Sequence, residues 1–575
     1  MSARKLKLAI IVSVGVMFAY LPLFANAPVN QTAGGVSKSE SDIEKGRKLE
    51  KRVETPAVKA EVEDQVLSMP EAGSGEKVLI KKIKIEGVTL IKSSEIDKLV
   101  KKYENRQLSM GQMQKIADLI SGIYRSKGYP TSRAYIPVQS IRAEGVLIIR
   151  VVEGTVGEVT VRGNKFFKSS IYKKKLNLKP GESFNYTDFQ RALTLINEKP
   201  DRFVKATLLP GKVQGSTDIV LDAKDRLPIH AGYTYDNYGS RYIGRLRQSF
   251  DFTDNNLFGF DDQLYFKETR ARDSLLMTES GRYLLPINNG LDLGLVASYA
   301  RTKLGREFTP IDSIGKATIL GAYLNQVLVS DSALDLRFNL GFDYKEIRNF
   351  LIGTEVSRDD DRLVKAGLDL DYTDNWGRTL LTGEIDQGIP NIMGGLRAKD
   401  SRATRVGAGG EFTKGVFNLY RSQPMPFSSS LLLKNNAQIS NNTLLSSEEF
   451  QVGGPYSVRG YASGEYAGDS GIYSAAEWAF PYYFIPKKFN IPFFKANLYD
   501  AARFVLFYDW SETYINHPLS TENKERALNS AGFGFRFNFK YVTAKAEFAY
   551  PIHGPESSDT GHEHMQPWIE FTANF

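Results

Sequence analysis

Three short runs in this chain carry residue types that could do chemistry. Gly468-Asp469-Ser470-Gly471 has the letters that surround a serine nucleophile. Such a serine needs a histidine base, and the chain has five His, none in a matching context. His562-Glu563-His564, with His553, are metal-ligand types. They precede the last strand pattern and read as an exposed polar loop. Asp359-Asp360-Asp361 could gather a Ca²⁺ ion, but reads as a solvated loop between two strands. Cys is absent, which excludes disulfides, thiolate nucleophiles and Cys-ligated metals. No Gly-x-x-x-x-Gly-Lys-Ser/Thr phosphate loop occurs. No basic cluster is interleaved with aromatics, so nucleic acid is not an expected partner. These observations point to a chain that is not an enzyme and implies no cofactor and no metal.

A fourth run is of a different kind. Gly453-Gly454-Pro455-Tyr456-Ser457-Val458-Arg459-Gly460-Tyr461 lies within a Gly-, Ser- and Asn-rich stretch, Asn441 to Gly471. Gly-Gly-Pro is turn chemistry. The Arg stands between a β-branched residue, a Gly and a Tyr, away from any helical pattern, with strongly alternating segments on both sides. A guanidinium there can hold a loop in one orientation by a two-point bond to a carboxylate.

The elements that must position that loop begin with an export signal. Arg4, Lys5 and Lys7 precede the apolar run Leu8 to Phe24, and Ala25-Asn26-Ala27 is a small-residue cleavage site, although Pro28 follows it directly. A mean hydropathy of -0.30 goes with no later run near the roughly 18 apolar residues of a spanning helix. Aromatics nevertheless reach 12% and Gly numbers 49, a composition that suits many alternating strands.

Residues 28–77 lack a core. Ser39 to Val53 is the helical piece, with Ser41-Asp42-Ile43-Glu44 resembling a capping box. Glu61 to Gly75 reads as a flexible linker. Order is expected from Val78. Ile83 and Ile85 mark a strand, Ser93 or Ser94 and then Ser109 cap two helices, and Arg133–Val138 and Val146–Val152 are strands. Met113, Ile116, Ala117, Ile120 and Tyr124 recur at helical spacing. The same order returns after 155: Val159-Thr160-Val161-Arg162-Gly163, a helix from Ser169 to Leu176, a second striped by Phe189, Leu193 and Ile196, then Phe203–Leu209 and Thr217–Leu221. Each repeat buries one sheet face under two helices and leaves sheet edges for pairing.

From Ile229 the period becomes two. Leu334, Leu336, Phe338, Leu340, Phe342 and Tyr344 alternate with Asp335, Arg337, Asn339, Gly341, Asp343 and Lys345. Strands of about ten residues with one apolar and one polar face are the pattern of an outer-membrane barrel. Such a sheet must close, because lipid cannot satisfy its edges. About sixteen strands are expected, beginning near residues 229, 243, 262, 275, 291, 316, 333, 362, 378, 402, 428, 472, 493, 527, 541 and 566. The stretch 441–471 then joins the eleventh and twelfth strands on the side away from the repeats, and is long enough to fold back into the lumen.

The doubled strand-helix-helix-strand-strand unit resembles polypeptide-transport-associated (POTRA) domains. The tetrad Val458-Arg459-Gly460-Tyr461 resembles the hallmark of polypeptide-translocating barrels. With two units, a preceding helix and about sixteen strands, the chain resembles the two-partner secretion transporters (TpsB) that export haemolysins and adhesins. The resemblance implies a membrane all-β barrel preceded by two small α+β domains and an N-terminal helix. The expected division is a signal peptide at 1–27, plug-like helix and linker at 28–77, POTRA units at 78–154 and 155–226, and a barrel at 227–575.

By the same resemblance Arg459 reaches an Asp on the inner wall, and the matching Phe-x-Asp is Phe507-Tyr508-Asp509. Ser511 stands where the family often has Gly. The helix carrying Ser41, Ile43 and Leu49 would be a plug. The partners implied are a secreted, large β-rich exoprotein and outer-membrane lipid. Export would need no nucleotide. The place implied is the Gram-negative outer membrane, with the POTRA units in the periplasm. The alternative within the superfamily is a factor that inserts other outer-membrane barrels.

Overall fold

The computed structural model describes residues 32–55, 61–64, 77–141, 144–331, 333–491, 496–520, 522–554, 557–558 and 565–575. The expected signal peptide and the His562–His564 run lie outside these residues. No helix among the described residues is long and apolar enough to cross a membrane.

The first soluble unit has the three-stranded sheet 82–86, 146–152 and 133–135 in that spatial order, with the outer pair parallel and antiparallel respectively to the centre. Helices Ser93–Val100 and Met110–Ser126 cover one face. Ser109 caps the longer helix with a full capping box to Gln112. The shorter helix has no side-chain cap, so the expected role of Ser93 or Ser94 is not realised. The apolar stripe packs as read: Met113, Ile116, Ala117, Ile120 and Tyr124 join Ile83, Leu147 and Ile149 in one core. The strand expected over 133–138 stops at Tyr135. Beyond it the Gln139 side chain takes over, donating to Ile148 O at 2.7 Å and accepting from Ile148 N at 2.8 Å.

The second unit repeats the plan with strands 155–162, 216–225 and 202–210 under helices Ser169–Leu176 and Tyr186–Asn197. Its core gathers Phe184, Phe189, Leu193, Ile196, Ile219 and Leu221. A fourth strand is added. Glu61–Asp64 pairs in parallel with the edge strand 202–210, Glu61 against Lys205 through Asp64 against Leu208. The linker expectation therefore fails over these four residues. Their charges disguise a segment whose backbone completes a sheet edge.

Sixteen antiparallel strands close into a barrel. The first strand, Ile229–Asp236, pairs with the last, Gln566–Asn574. Alternation sorts the faces as the sequence implied. Phe338 and Leu340 are exposed on the outer surface, while Arg337 and Lys345 turn inward to ion pairs. Three strands start later than expected. The second begins at Arg247, the tenth at Thr413 and the thirteenth at Ala502, because the connections 237–246, 389–412 and 481–501 are long. The eighth begins earlier, at Thr354, and carries Asp359, Asp360 and Asp361 within it. These three carboxylates are buried rather than solvated, a correction to the loop reading. Asp359 accepts from Thr404 N at 2.8 Å and from Ser446 Oγ at 3.3 Å, both on overlying connections.

The lumen is occupied. A helix from Ala33 to Glu54 threads it, longer than the expected 39–53. At about 1.5 Å per residue it matches the thickness of a hydrocarbon core. Its N-cap is Thr32, whose hydroxyl accepts from Gly35 N at 3.1 Å. The capping-box reading of Ser41 to Glu44 is thus corrected: Ser41 is mid-helix and exposed.

Candidate functional site

The connection between the eleventh strand (Ser429–Ser440) and the twelfth (Ser470–Phe480) folds into the barrel. Two left-handed glycines, Gly453 (φ 98°) and Gly454 (φ 108°), make its return. A Cβ on Gly453 would lie 2.3 Å from Ala462 O, so the turn accepts no side chain. Short strands Phe450–Val452 and Tyr466–Gly468 pair across its base. Val458 and Tyr461 anchor it in an apolar cluster with Val452, Tyr473 and Leu528.

Arg459 at the tip is fully buried. Its Nη2 donates to Asp509 Oδ1 at 2.6 Å and its Nε to Asp509 Oδ2 at 2.9 Å, a two-point bond reinforced by Arg459 N to Asp509 Oδ2 at 3.1 Å. The guanidinium lies over the Phe507 ring, 3.4 Å from its centroid. Phe507 and Asp509 are thus brought to Arg459 on one wall of the thirteenth strand, Ala502–Tyr514. Trp568 Nε1 donates to Arg459 O at 2.7 Å. Gly460 fits where a Cβ would stand 2.8 Å from Ser530 Cβ and 3.0 Å from Pro551 N.

Residues that sequence reasoning missed complete the site. Glu477 accepts from Arg459 Nη1 at 2.8 Å and Glu547 lies 3.5 Å away. Arg536 bridges both acids, Lys545 reaches Glu547 at 3.2 Å, and Lys434 contacts Glu477 and Glu50. Four cations, Arg459, Arg536, Lys434 and Lys545, face four carboxylates, Asp509, Glu477, Glu547 and Glu50. Asp509, Glu477 and Glu547 surround the buried Arg459 guanidinium and offset the cost of burying its charge. The inward alternation of Glu477 and Glu547 along their strands was legible. Their convergence was not, because it depends on register across non-neighbouring strands.

The helix and the loop meet. Ile43 packs with Tyr238, Trp568 and the loop's Tyr456. Gly46 faces the Tyr456 ring, where a Cβ would stand 3.0 Å from Cδ1. Leu49 lies beside Val53, Leu380, Tyr420 and Leu432. Ser41 makes no such contact. Charges line the rest of the helix. Arg47 reaches Glu570 at 2.5 Å, Lys267 reaches Glu44 at 3.1 Å, and Arg52 reaches Asp371 at 3.0 Å. A half-enclosed cavity of about 80 Å³ remains between helix and loop, lined by Asp42, Leu49, Tyr420, Gln451 and Tyr456.

The protease-like letters have a structural task. Asp469 is buried, accepting from Leu444 N at 2.6 Å, Asn516 N at 2.6 Å and Arg405 Nη1 at 2.8 Å. Ser470 Oγ accepts from Ser440 N at 3.0 Å. Among the described residues no group of His, Asp and Glu is arranged to hold a metal.

The family described as haemolysin secretion/activation protein ShlB/FhaC/HecB matches residues 215–498, and the ShlB-type POTRA domain matches residues 78–154. The heme/hemopexin transporter protein HuxB of Haemophilus influenzae (strain 86-028NP) is 23% identical over 458 residues, 78% of each chain. The outer membrane transporter CdiB of Dickeya dadantii (strain 3937) is 23% identical over 427 residues, covering 72% of this chain and 75% of that one. In fold, the chain superposes on CdiB from Escherichia coli with a TM-score of 0.76 at 18% identity, covering 96% of this chain and 99% of that one. With its sixteen-stranded barrel, lumenal helix and inward loop, the chain belongs to the ShlB/FhaC/HecB family of two-partner secretion transporters of the outer membrane.

Proposed function

We propose that Arg459, Asp509 and the helix 33–54 together hold the resting pore shut, and that a secreted exoprotein opens it by displacing them. The two-point bond between Arg459 and Asp509 carries this reading. A tip held at a buried, neutral charge cluster has one orientation, which suits a gate better than a freely moving loop. The family exports exoproteins, and relatives include a hemolysin transporter, HpmB of Proteus mirabilis. A large β-rich haemolysin- or adhesin-like chain is the cargo we assign here. It would be caught unfolded by the units at 78–154 and 155–226, through strand addition that places little demand on sequence. Folding of the cargo outside would drive export in place of a nucleotide.

The reading is tested by replacing Arg459 with Ala and co-expressing a candidate cargo, a large β-rich exoprotein of the kind the family exports. We expect assembled transporter with lost secretion. Normal secretion at normal assembly would overturn it.

A further inference from the structure

Connections on the POTRA side of the barrel are short at 289–290, 331–333, 375–376, 426–428 and 539–541. The one from Phe480 to Ala502 is not. It runs over residues 481–501 and contains the small hairpin Asn490–Ile491 with Ala496–Asn497. Its sequence joins aromatics to lysines: Lys487, Lys488 and Lys495 fall between residues 481 and 499, with no Asp or Glu.

The geometry carries the barrel's outer surface into this segment. Trp478 and Phe480 face outward at the end of the twelfth strand, with ring centroids 4.8 Å apart. Tyr482 stacks at 6.5 Å on Phe537, an outward residue of the fourteenth strand. Tyr483 donates to Phe427 O at 2.9 Å, which ties the segment along the neighbouring turn. Beyond these contacts Phe484 is 82% exposed, Tyr483 56% and Phe489 50%, with Lys487 and Lys488 exposed beside them. Aromatic rings at the edge of a lipid-facing wall, followed by exposed lysines, one of them (Lys487) 5.7 Å over the Tyr499 ring, are the chemistry of an interface with anionic headgroups.

We infer that residues 481–491 form an anchor on the inner leaflet of the outer membrane, with Phe484 in the acyl–headgroup boundary and Lys487 and Lys488 on anionic phospholipid. The anchor sits between the two strands that carry Glu477 and Asp509. It fixes the height of that wall against the membrane while cargo strains the loop docked on it. The inference rests on the lipid-facing reading of the barrel wall.

Because the chain has no Cys, single labels can be placed in the full-length protein. F484C, L506C and V138C would each carry a nitroxide, reconstituted in phosphatidylethanolamine–phosphatidylglycerol vesicles and in phosphatidylcholine vesicles. Leu506 is on the outer wall and Val138 on a fully exposed turn of the first soluble unit. The ratio of collisions with oxygen to collisions with a water-soluble nickel chelate should be several-fold higher at 484 than at 138. K487E/K488E should raise label mobility at 484 in the phosphatidylglycerol vesicles and abolish their difference from phosphatidylcholine. A label at 484 that behaves like 138, while 506 reads as lipid, overturns the anchor. An aqueous reading at 506 overturns the wall itself. Dipolar broadening between 484 labels would assign the surface to a second copy and also overturn the inference. Equal mobility in both lipids would overturn the anionic partner.

Discussion

Glu198, on the second soluble unit, meets Arg337, on the seventh barrel strand, at 2.6 Å. Arg337 also holds Asp335 at 2.5 Å, and Asp335 lies 3.7 Å from Arg52 near the end of the lumenal helix. The soluble region, the wall and the helix therefore share one chain of charges at the POTRA-side mouth. Movement of the second unit changes the field that retains the helix.

Glu198→Gln should accordingly loosen the helix without unfolding either part. The pair is partly solvated, so its contribution is about 1 kcal/mol or less. That corresponds to a change of up to about fivefold in the fraction of open pores, which single-channel recording in planar bilayers would detect. Arg52→Gln should act in the same direction. Unchanged conductance in both variants would separate the helix from the mouth.

Removing Arg459 leaves three buried acids sharing one cation fewer. Breaking such a pair costs about 3–5 kcal/mol. Arg459→Lys should fail to restore secretion, because an ammonium cannot make the two parallel bonds to Asp509. Asp509→Asn should match it. Secretion assays normalised to heat-modifiable barrel on gels would check both, and full export by Arg459→Lys would show that charge alone suffices.

Gly46→Leu should drive the helix from Tyr456, since even a Cβ there is at 3.0 Å. We expect raised conductance with an intact barrel, similar to that of a chain lacking residues 28–60. A closed pore in Gly46→Leu would mean that the loop yields instead.

The strand Glu61–Asp64 occupies the edge of 202–210, so this edge is not available to an incoming chain in the resting protein. Val62→Pro with Glu63→Pro removes backbone donors directed to both of its edges. Binding of an unfolded exoprotein fragment to the full-length transporter should then tighten several-fold by fluorescence anisotropy. No change would direct attention to the first unit, where among the described residues no strand flanks the outer side of Arg133–Tyr135.

Asp201, at the joint between the second unit and the barrel, is a pH-sensitive contact. Burial alone would raise its carboxyl, but His230 at 2.8 Å, Asn255 at 2.6 Å and Arg226 at 2.6 Å hold it below its ordinary value. A depressed carboxyl stabilises the fold at pH above its unfolded value of about 3.9, and that stability is lost as pH falls through the lower, folded value. Thermal unfolding of the detergent-solubilised protein should therefore become less pH-dependent below about pH 4 in Asp201→Asn, with a lower midpoint at pH 7. Parallel profiles for the two proteins would exclude this group.

Much of the architecture was legible because the physics that sets it is local. Met113 to Tyr124 repeat as a helix face must, and Leu334 to Lys345 alternate as a wall strand must. Strand starts were misplaced where polar connections such as 389–412 carry no local period. Asp359 to Asp361 were misread because three adjacent carboxylates resemble a solvated loop. Pairing with the seventh strand places them inside a strand, and Thr404 and Ser446, far along the chain, cover Asp359. Arg459 was visible through its neighbours in sequence. Glu477, Glu547, Trp568 and Gly46 were not, since each acts through a partner on another strand or on the helix.

Arg459 and the three carboxylates it meets, Asp509, Glu477 and Glu547, are closed to solvent, whereas Arg52 and Glu198 stand partly in water. Ionic strength thus acts on one end of the lumen and not the other. Salt screens the mouth within a Debye length of about 8 Å and leaves the loop tip untouched. An arriving chain rich in charge would meet the responsive end first.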